Sequence, residues 1–177
     1  IQVLLETENV TAITIDGANR KWIGTQHSGV YLMSADGTSQ IYHFETDNSP
    51  LLSNNILDIA INHKSGEVFF ATERGIVSFR SDATNFYEEM DAINVFPNPV
   101  RPDYQGVITI DGLSRDADVK IADVAGNVVY QTTANGGRAT WDGQDFNGSR
   151  VSTGIYMVYI TTTDGKSSAV SKVAFVN

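Results

Sequence analysis

Histidine and serine side chains are the first candidates for catalysis or metal binding in this chain. His27, His43 and His63 are its three histidines, and none has a His-x-x-His or Glu neighbour at the spacing of metal ligands. Each lies beside an expected turn or outer strand. No serine stands in a G-x-S-x-G pattern, no glycine run has the spacing that cradles phosphate, and cysteine is absent. The sequence therefore indicates a non-enzymatic protein without a cofactor.

One cluster of oxygen-bearing side chains has the composition of a cation site. Asp142, Asp145 and Asn147 lie within six residues of a glycine-containing loop, and carboxylate and amide oxygens are the ligands that calcium prefers. The loop lacks the bidentate glutamate of an EF-hand, and ordinary turn chemistry accounts for the same residues. Both interpretations stay open, a calcium loop and a plain turn. Asp16 and Asp58, like Asp142, are better explained as turn or edge residues than as an acid–base pair.

Charge argues against nucleic acid as a partner, and hydropathy argues against a transmembrane helix. The chain has 177 residues, 12 of them basic and 21 acidic, and a formal net charge of −9. This balance argues against nucleic acid, because phosphate binding needs clustered lysine and arginine. No apolar run approaches the roughly 18 residues of a transmembrane helix. Residues 1–91 hold 13 acidic and 5 basic side chains, a net of −8, and residues 92–177 hold 8 and 7, a net of −1.

The first half of the chain contains an internal repeat. Segments 10–33 and 56–79 match at apolar and glycine positions, with 46 positions between Ile13 and Ile59. That period is close to the roughly 40–50 residues of a propeller blade. Each copy consists, in order, of an apolar run, a turn, a second apolar run that ends in threonine, a glycine and a third apolar run. The β-branched and aromatic residues of these runs favour strands. With residues 41–44 as a fourth, outer strand, the repeat predicts two blades of a β-propeller.

The start of the chain predicts part of a preceding element. Residues 1–8 have no basic head and no small-residue cleavage site, so they do not have the pattern of a signal peptide. We expect them to be the last strand of an earlier element. Since two blades do not close a propeller, we expect the chain to be the C-terminal portion of a larger protein.

The second half has a different pattern. An acidic stretch at residues 85–93 is expected to link a partial propeller at residues 1–84 to a domain at residues 94–177. That domain has the pattern of seven short strands with frequent turn signals, and residues 155–161, apolar on both faces, are expected to form a central strand. Seven strands in about 85 residues indicate an antiparallel sandwich of immunoglobulin type. The predicted fold class is all-β: C-terminal propeller blades followed by an immunoglobulin-like sandwich.

The repeats resemble a known family. The first copy is similar to two-component-regulator-type propeller repeats at Ile13, Asp16, residues 22–25 and residues 29–31, whereas the second copy departs from that pattern at residues 69–72. The resemblance supports the blade interpretation.

The second half is similar to the C-terminal sorting domains of type IX secretion and to the immunoglobulin-like fold of flagellar hook-capping proteins. Gly143 and Gly148 are expected to permit positive-φ turns, Trp141 to cover one end of the sandwich, and Gly154 to let the chain turn sharply into the central strand. The matching residues are called the sorting motif: Pro97, Asn98, Pro99, Gly126, Trp141, Asp142, Gly143, Gly148, Gly154, Tyr156 and Lys172.

The combination of these repeats with this domain resembles the PorZ-type components of the type IX secretion machinery. The resemblance implies a non-catalytic protein of the cell surface or outer membrane of a Gram-negative bacterium. It implies the sortase and other secretion proteins as partners, and a role in attaching cargo to anionic lipopolysaccharide. Two alternatives stay open: a secreted enzyme or carbohydrate-binding cargo protein that carries a sorting domain, and, less favoured, the propeller sensor ectodomain of a hybrid two-component system.

Overall fold

The computed structural model describes residues 5–88, 90 and 92–176, and this part of the chain contains fourteen β-strands. Neighbouring strands in its four sheets run antiparallel. The all-β fold class predicted from the sequence is confirmed. Within the described ranges, no helix has the length and hydropathy needed to cross a membrane. The chain divides into two compact units, residues 1–85 and 86–177.

The first unit contains two sheets, one from each copy of the repeat. The first sheet consists of β1 (Val10–Ile15), β2 (Lys21–Thr25), β3 (Val30–Met33) and β4 (Gln40–Phe44). The second consists of β5 (Ile56–Asn62), β6 (Glu67–Thr72) and β7 (Gly75–Arg80). In each sheet the strands stand in sequence order. Strand β4 lies at the outer edge of the first sheet, where the sequence predicted it.

The core of the first unit lies between its two sheets. Trp22 is fully buried there, with its ring 5.6 Å from that of Phe70 and 5.9 Å from that of Phe79, centroid to centroid. Successive residues of a strand point to opposite faces, so Phe69 lies on the far face of the second sheet, where it is 37% exposed. Phe69 is the counterpart of Trp22 in the repeat, so the two copies bury equivalent positions to different extents.

The second unit holds the other seven strands, the number that the sequence predicted. They are β8 (Asn94–Phe96), β9 (Ile108–Asp111), β10 (Asp118–Ala122), β11 (Val128–Thr133), β12 (Arg138–Trp141), β13 (Gly154–Thr161) and β14 (Ser168–Phe175). One sheet has the order β11-β10-β13-β14 and the other the order β12-β9-β8. Strand β13 is therefore a central strand, as its apolar residues on both faces predicted.

The two sheets of the second unit enclose one apolar core. Alternate residues of the strands are fully buried, among them Ile110, Ile121 and Val158, because one face of each sheet packs inward. Met90 and Ile93 pack against the same core, so residues predicted as part of the linker contribute side chains to this unit. The predicted domain limits at residues 84 and 94 stay a prediction.

The start of the chain differs from the predicted strand. Residues 1–4 lie outside the described residues. Residues 5–8 form a turn in which the amide of Glu8 donates to the carbonyl of Leu5 at 2.9 Å. Leu5 has a φ of 53°, in the left-handed region that strand residues do not adopt. For residues 5–8 the prediction of a strand is therefore wrong, because a local turn competes with extended pairing.

Candidate functional site

The asparagine of the sorting motif pairs with an edge of β14. Its Nδ2 donates to the carbonyl of Lys172 at 3.0 Å, and its Oδ1 accepts from the amide of Ala174 at 3.1 Å. The side-chain amide of Asn98 thus bonds to β14 as a backbone peptide group of a neighbouring strand would, with one donor and one acceptor. Strand β14 lies at the edge of its sheet, where such groups need a partner. Pro97 and Pro99 flank it and have no N–H group that needs a partner. Lys172 contacts Asn98 through its backbone carbonyl, while its own side chain is exposed.

The pairing continues one step further along the chain. Val100 is fully buried, its amide donates to the carbonyl of Ala174 at 2.8 Å, and its carbonyl accepts from the amide of Val176 at 2.9 Å. Residues 98–100 therefore cover the C-terminal half of the β14 edge as a short parallel strand would.

Trp141 lies within the core, in an aromatic cluster at the end of β12. It is 1% exposed, and its ring centroid lies 5.1 Å from that of Phe175 and 5.9 Å from that of Tyr156. Its Nε1 donates to the carbonyl of Gln144 at 2.7 Å. The buried indole N–H is thereby satisfied, and the loop that follows β12 is fixed to the core.

The glycines of the sorting motif differ in backbone conformation and in the space available for a Cβ atom. Gly143 has a φ of 78°, and a Cβ there would come within 3.1 Å of the Phe175 ring, so both backbone conformation and close approach favour glycine. Gly126 and Gly148 also have positive φ, 87° and 76°, without such a close neighbour. Gly154 is not among the positive-φ glycines and is itself the first residue of β13. A Cβ at Gly154 would meet nothing nearer than 3.8 Å, and the chain bends at Thr153 just before it, so the sharp turn expected at Gly154 stays a prediction.

The candidate calcium loop is closed by its own hydrogen bonds. Asp145 Oδ1 accepts from the amides of Asn147 at 2.8 Å and Ser149 at 3.0 Å, and Asp142 Oδ1 accepts from the amide of Gln144 at 3.0 Å. These backbone bonds, the one from Ser149 most of all, hold the pKa of Asp145 below its ordinary value. In the part of the chain that the structure describes, no three His, Cys, Asp or Glu side chains are grouped to hold a metal ion. The geometry supports the turn interpretation, and calcium binding stays a prediction.

A second loop of the same unit repeats this geometry. Residues 123–127 and 145–149 each begin with aspartate and have glycine fourth. In each loop the aspartate amide donates to the carbonyl of the fifth residue, at 3.0 and 2.8 Å, and the glycine amide donates back at 3.0 and 2.9 Å. Asp123 Oδ1 accepts from the amides of Ala125 and Asn127, both at 2.9 Å. Hydrogen bonds from Asn127, from its side chain above all, lower the pKa of Asp123.

Two residues of this region were not singled out from the sequence. Phe175 is almost fully buried, and the Arg150 guanidinium lies 5.7 Å from its ring centroid. The Arg150 Nη2 donates to the carbonyl of Tyr104 at 3.1 Å. The alternation of residues along β14 places Phe175 on the inner face with Val173, and this signal could have identified Phe175. No sequence pattern marks Arg150, because its contact depends on the tertiary fold.

The three histidines occupy separate places in the first unit. His43 lies on β4 with its ring stacked on that of Tyr31 at 3.9 Å, and its Nε2 is 2.8 Å from the carbonyl oxygen of Ser28. His27 and His63 lie in the turns that follow β2 and β5. The structure does not combine the three histidines into one site.

Asp16 shapes the turn between β1 and β2. Its Oδ1 accepts from the amides of Ala18 and Arg20, both at 3.0 Å, and its Oδ2 accepts from Arg20 Nε at 2.8 Å. Arg20 Nη2 also donates to Asp82 at 2.8 Å, which ties this turn to the segment after β7. Burial opposes the charge of Arg20, but the carboxylates of Asp82 and Asp16 outweigh it and raise the Arg20 pKa. Asp58 is exposed at a bulge in β5.

Comparison with known families identifies the second unit. Residues 94–175 match the family described as the secretion system C-terminal sorting domain. The matched range includes all seven strands of the unit and every residue of the sorting motif. The second unit is therefore similar to the C-terminal sorting domains of secretion systems.

The whole chain is similar to PorZ of Porphyromonas gingivalis, whose structure is reported as that of an essential bacterial surface component of the type IX secretion system. The two share 36% sequence identity with a TM-score of 0.67, and the match covers 99% of this chain and 24% of PorZ. This similarity confirms the resemblance seen in the sequence, and the chain spans about a quarter of the length of PorZ.

Two further solved structures are less similar to this chain than PorZ is. Dimeric latent PorU of Porphyromonas gingivalis is 17% identical over 62% of this chain and 12% of its own, with a TM-score of 0.36. The extracellular domain of the one component system BT4673 from B. thetaiotaomicron is 12% identical over 99% of this chain and 26% of its own, with a TM-score of 0.35. Neither score is high enough to bear on the fold. A comparison with curated proteins found no match.

Proposed function

We propose that the protein is a non-catalytic accessory or scaffold component of type IX secretion that works at the cell surface or outer membrane. The observation that carries this proposal is the similarity to PorZ, at 36% identity and over 99% of the chain. The similarity includes the repeat-containing first unit as well as the sorting domain. It is therefore more specific than the sorting domain alone.

The proposed partners are the sortase and other proteins of the secretion machinery, and the proposed task is to assist the attachment of cargo to anionic lipopolysaccharide. The charge distribution suggests that the two units do not contact the polysaccharide equally. Residues 1–91 carry a net charge of −8 and residues 92–177 a net charge of −1. Because like charges repel, we propose that any contact with the anionic polysaccharide is made by the second unit.

Binding rather than catalysis is also supported by what the polar side chains do. The carboxylates of Asp142 and Asp145 accept hydrogen bonds from the amides of their own loop. Asp16 is bonded to Arg20 and shapes a turn. These groups are engaged in holding local structure, so they are not arranged as an acid–base pair or a nucleophile with its base.

A second candidate function is that of a secreted cargo protein, enzymatic or carbohydrate-binding, that carries a sorting domain. The match of residues 94–175 taken alone favours it. In a cargo protein, however, the part before the sorting domain carries the protein's own activity. Here the similarity to PorZ extends through that part, so the accessory role is the better supported proposal.

Chemical crosslinking on intact cells tests the proposed partners. The tagged natural protein is isolated after crosslinking, and a tagged cargo protein with its own sorting domain serves as the control. We expect the sortase and other secretion proteins to be enriched with this protein well above the cargo control. If enrichment does not exceed the control and the protein is released or attached like cargo, the cargo function replaces the accessory one.

A further inference from the structure

Two loops of the second unit project apolar side chains into solvent. Val124 is 80% exposed and Phe146 is 65% exposed, and neither belongs to the apolar core of the unit. Each is the second residue of its loop, directly after Asp123 or Asp145. Single exposed apolar residues are common on protein surfaces. Here, however, the same position is apolar and exposed in two loops of the same geometry.

The strand pairing places both loops at one end of the sandwich. The loop at residues 123–127 follows β10, whose last residue pairs with Met157 near the start of β13. The loop at residues 145–149 lies between β12 and β13. Tyr156 of β13 is close to both loops. Its ring is 5.9 Å from that of Trp141, the last residue of β12, and its pKa is raised by burial and then by the carboxylate that begins the loop at residues 123–127.

Two further apolar side chains are exposed at this end. Val107 directly precedes β9, whose first residue pairs with the last of β12, and it is 50% exposed. Val176 directly follows β14, whose last residue pairs with the first of β13, and it is 45% exposed. Together with Val124 and Phe146 they give this end of the unit an apolar surface.

The loops at the opposite end differ in this respect. The turn at residues 162–167 is also closed by its own hydrogen bonds, but the polar Thr163 stands before its aspartate. Residues 134–137 are alanine, asparagine and two glycines. In the loop at residues 112–117 the large apolar side chain, that of Leu113, is fully buried. A closed turn therefore does not require an exposed apolar residue.

The geometry of the two loops holds Val124 and Phe146 in place before any partner binds. In each loop the leading aspartate accepts hydrogen bonds from two backbone amides, at 2.9 Å in residues 123–127 and at 2.8 and 3.0 Å in residues 145–149. A side chain on a preformed loop loses little conformational entropy when a partner binds it. The two apolar side chains are therefore suited to act as contact points.

The charges of the loops at this end favour a basic partner. Residues 97–107, 123–127 and 142–153 contain four carboxylates and two guanidinium groups, a net of −2. An anionic lipid or polysaccharide surface is repelled here by the excess of carboxylates, whereas a protein surface with lysine and arginine is complementary. The charged residues are Asp103, Asp123, Asp142 and Asp145, with Arg101 and Arg150.

We propose that this end of the second unit is a docking surface for another protein, which receives Val124 and Phe146 in an apolar groove bordered by lysine and arginine side chains. Aromatic side chains that enter a partner's pocket commonly account for much of the binding free energy, so Phe146 is the principal contact. This inference goes beyond the proposed function and does not depend on it, because the surface is the same in a scaffold and in a cargo protein.

Photocrosslinking in intact cells tests the docking surface. The photoreactive amino acid p-benzoylphenylalanine is introduced at position 124, 146 or 163 of the natural protein, and the cells are irradiated. Position 163 is the control, because Thr163 is exposed at the opposite end. We expect positions 124 and 146 to crosslink to the same protein and position 163 not to. Mass spectrometry should locate both crosslinks at apolar residues of that protein that have lysine or arginine beside them.

Four other outcomes overturn the proposal. The first is the absence of adducts at positions 124 and 146, or equal adducts at all three positions. The second is an adduct with lipopolysaccharide or phospholipid alone, which assigns this end to the membrane. The third is an adduct with a second copy of the chain. The fourth is a crosslinked site in the partner without basic residues around it.

Substitutions measure how much each side chain contributes, with the crosslinked protein purified as the binding partner. We expect Phe146→Ala to weaken binding by about tenfold or more, Val124→Ala by about threefold, and Thr163→Ala to leave it unchanged. Urea unfolding checks that the three variants are equally stable, which the exposure of the replaced side chains predicts. Equal affinities of Phe146→Ala and the wild type overturn the proposal.

A charge-neutral variant tests the basic character of the partner. Asp142→Asn keeps an Oδ1 that accepts from the amide of Gln144, as Asp142 does at 3.0 Å, but removes the charge. We expect salt to weaken binding of the wild type, because ions screen the attraction, and Asp142→Asn to bind more weakly with a smaller dependence on salt. Wild-type binding that is indifferent to salt, or strengthened by it, overturns the proposal.

Discussion

The side-chain amide of Asn98 donates to the backbone carbonyl of Lys172 over 3.0 Å, across 74 positions of sequence. This bond joins the first turn of the sorting domain to its last strand. The motif residues at the two ends of the domain therefore belong to one structural arrangement, in which residues 98–100 complete the edge of β14.

Replacing Asn98 should destabilise the second unit although the side chain is exposed. Asn98→Ala removes two hydrogen bonds to β14, and each such bond contributes about 0.5–1.5 kcal/mol, so we expect a loss of about 1–3 kcal/mol in the free energy of unfolding. Urea unfolding followed by the exchange of unit-2 amides measures it. Asn94→Ala is the control, because the Asn94 side chain donates to the carbonyl of nearby Ala92 rather than to a distant strand. Equal effects of the two substitutions would show that the β14 edge does not need Asn98.

The two tryptophans should respond differently to replacement by phenylalanine. Trp141 Nε1 donates to the carbonyl of Gln144, whereas the buried Nε1 of Trp22 has no hydrogen-bond partner among the described residues. Trp141→Phe loses a satisfied bond and leaves a carbonyl without its donor, at a cost of about 2 kcal/mol beyond the loss of ring area. Trp22→Phe loses ring area but removes an unsatisfied polar group, so its cost should be smaller. Thermal unfolding of both variants by circular dichroism tests this order, and the reverse order contradicts it.

Glycine positions 126 and 143 allow backbone conformation and close packing to be measured separately. Both have positive φ, but only Gly143 lies against a ring, that of Phe175. Gly126→Ala should cost about 1–2 kcal/mol from the left-handed conformation alone. Gly143→Ala adds the displacement of Phe175 and should cost about 1 kcal/mol more. Equal losses in urea unfolding would mean that the Phe175 contact is easily relieved.

The aspartate loops predict a loss of stability in acid. The folded-state pKa of Asp145 and that of Asp123 are lowered by hydrogen bonds from their own loops. A group whose pKa is lowered on folding stabilises the fold above its unfolded pKa of about 3.9, and that contribution is lost as pH falls through the lower folded value. The double variant Asp123→Asn with Asp145→Asn should show a shallower decline in stability than the wild type between about pH 5 and 2. Parallel declines in the two proteins would contradict this assignment.

Local hydrogen bonding made many turns predictable. Residues 34–39 and 162–167 both have the pattern Ser or Thr, any residue, Asp, Gly, any residue, Ser. Each is closed by a bond from the first amide to the last carbonyl, at 2.8 and 3.0 Å. Such bonds lie within six residues, so the sequence contains the whole interaction. Strand positions were predictable for the same reason, since the alternation of apolar residues is a local property.

Contacts between distant residues were not predictable in this way. Arg20 bonds to Asp82 across 62 positions, and a Cβ on Gly17 would lie 1.8 Å from the carbonyl oxygen of Thr84. The role of Asn98 depends on the same kind of contact with β14. Glycine at position 17 and asparagine at position 98 are compatible with many kinds of turn. The sequence therefore shows the sorting motif but does not show which distant residues its members contact.

The proposed role in secretion is tested most directly by the fate of cargo in a bacterium that lacks this protein. The gene is deleted, and proteins with sorting domains are fractionated and examined for processing. We expect them to accumulate unprocessed in the periplasm, with little attached at the cell surface, and the wild-type gene to restore both steps. Normal processing and normal surface attachment of cargo in the deletion strain would contradict the account.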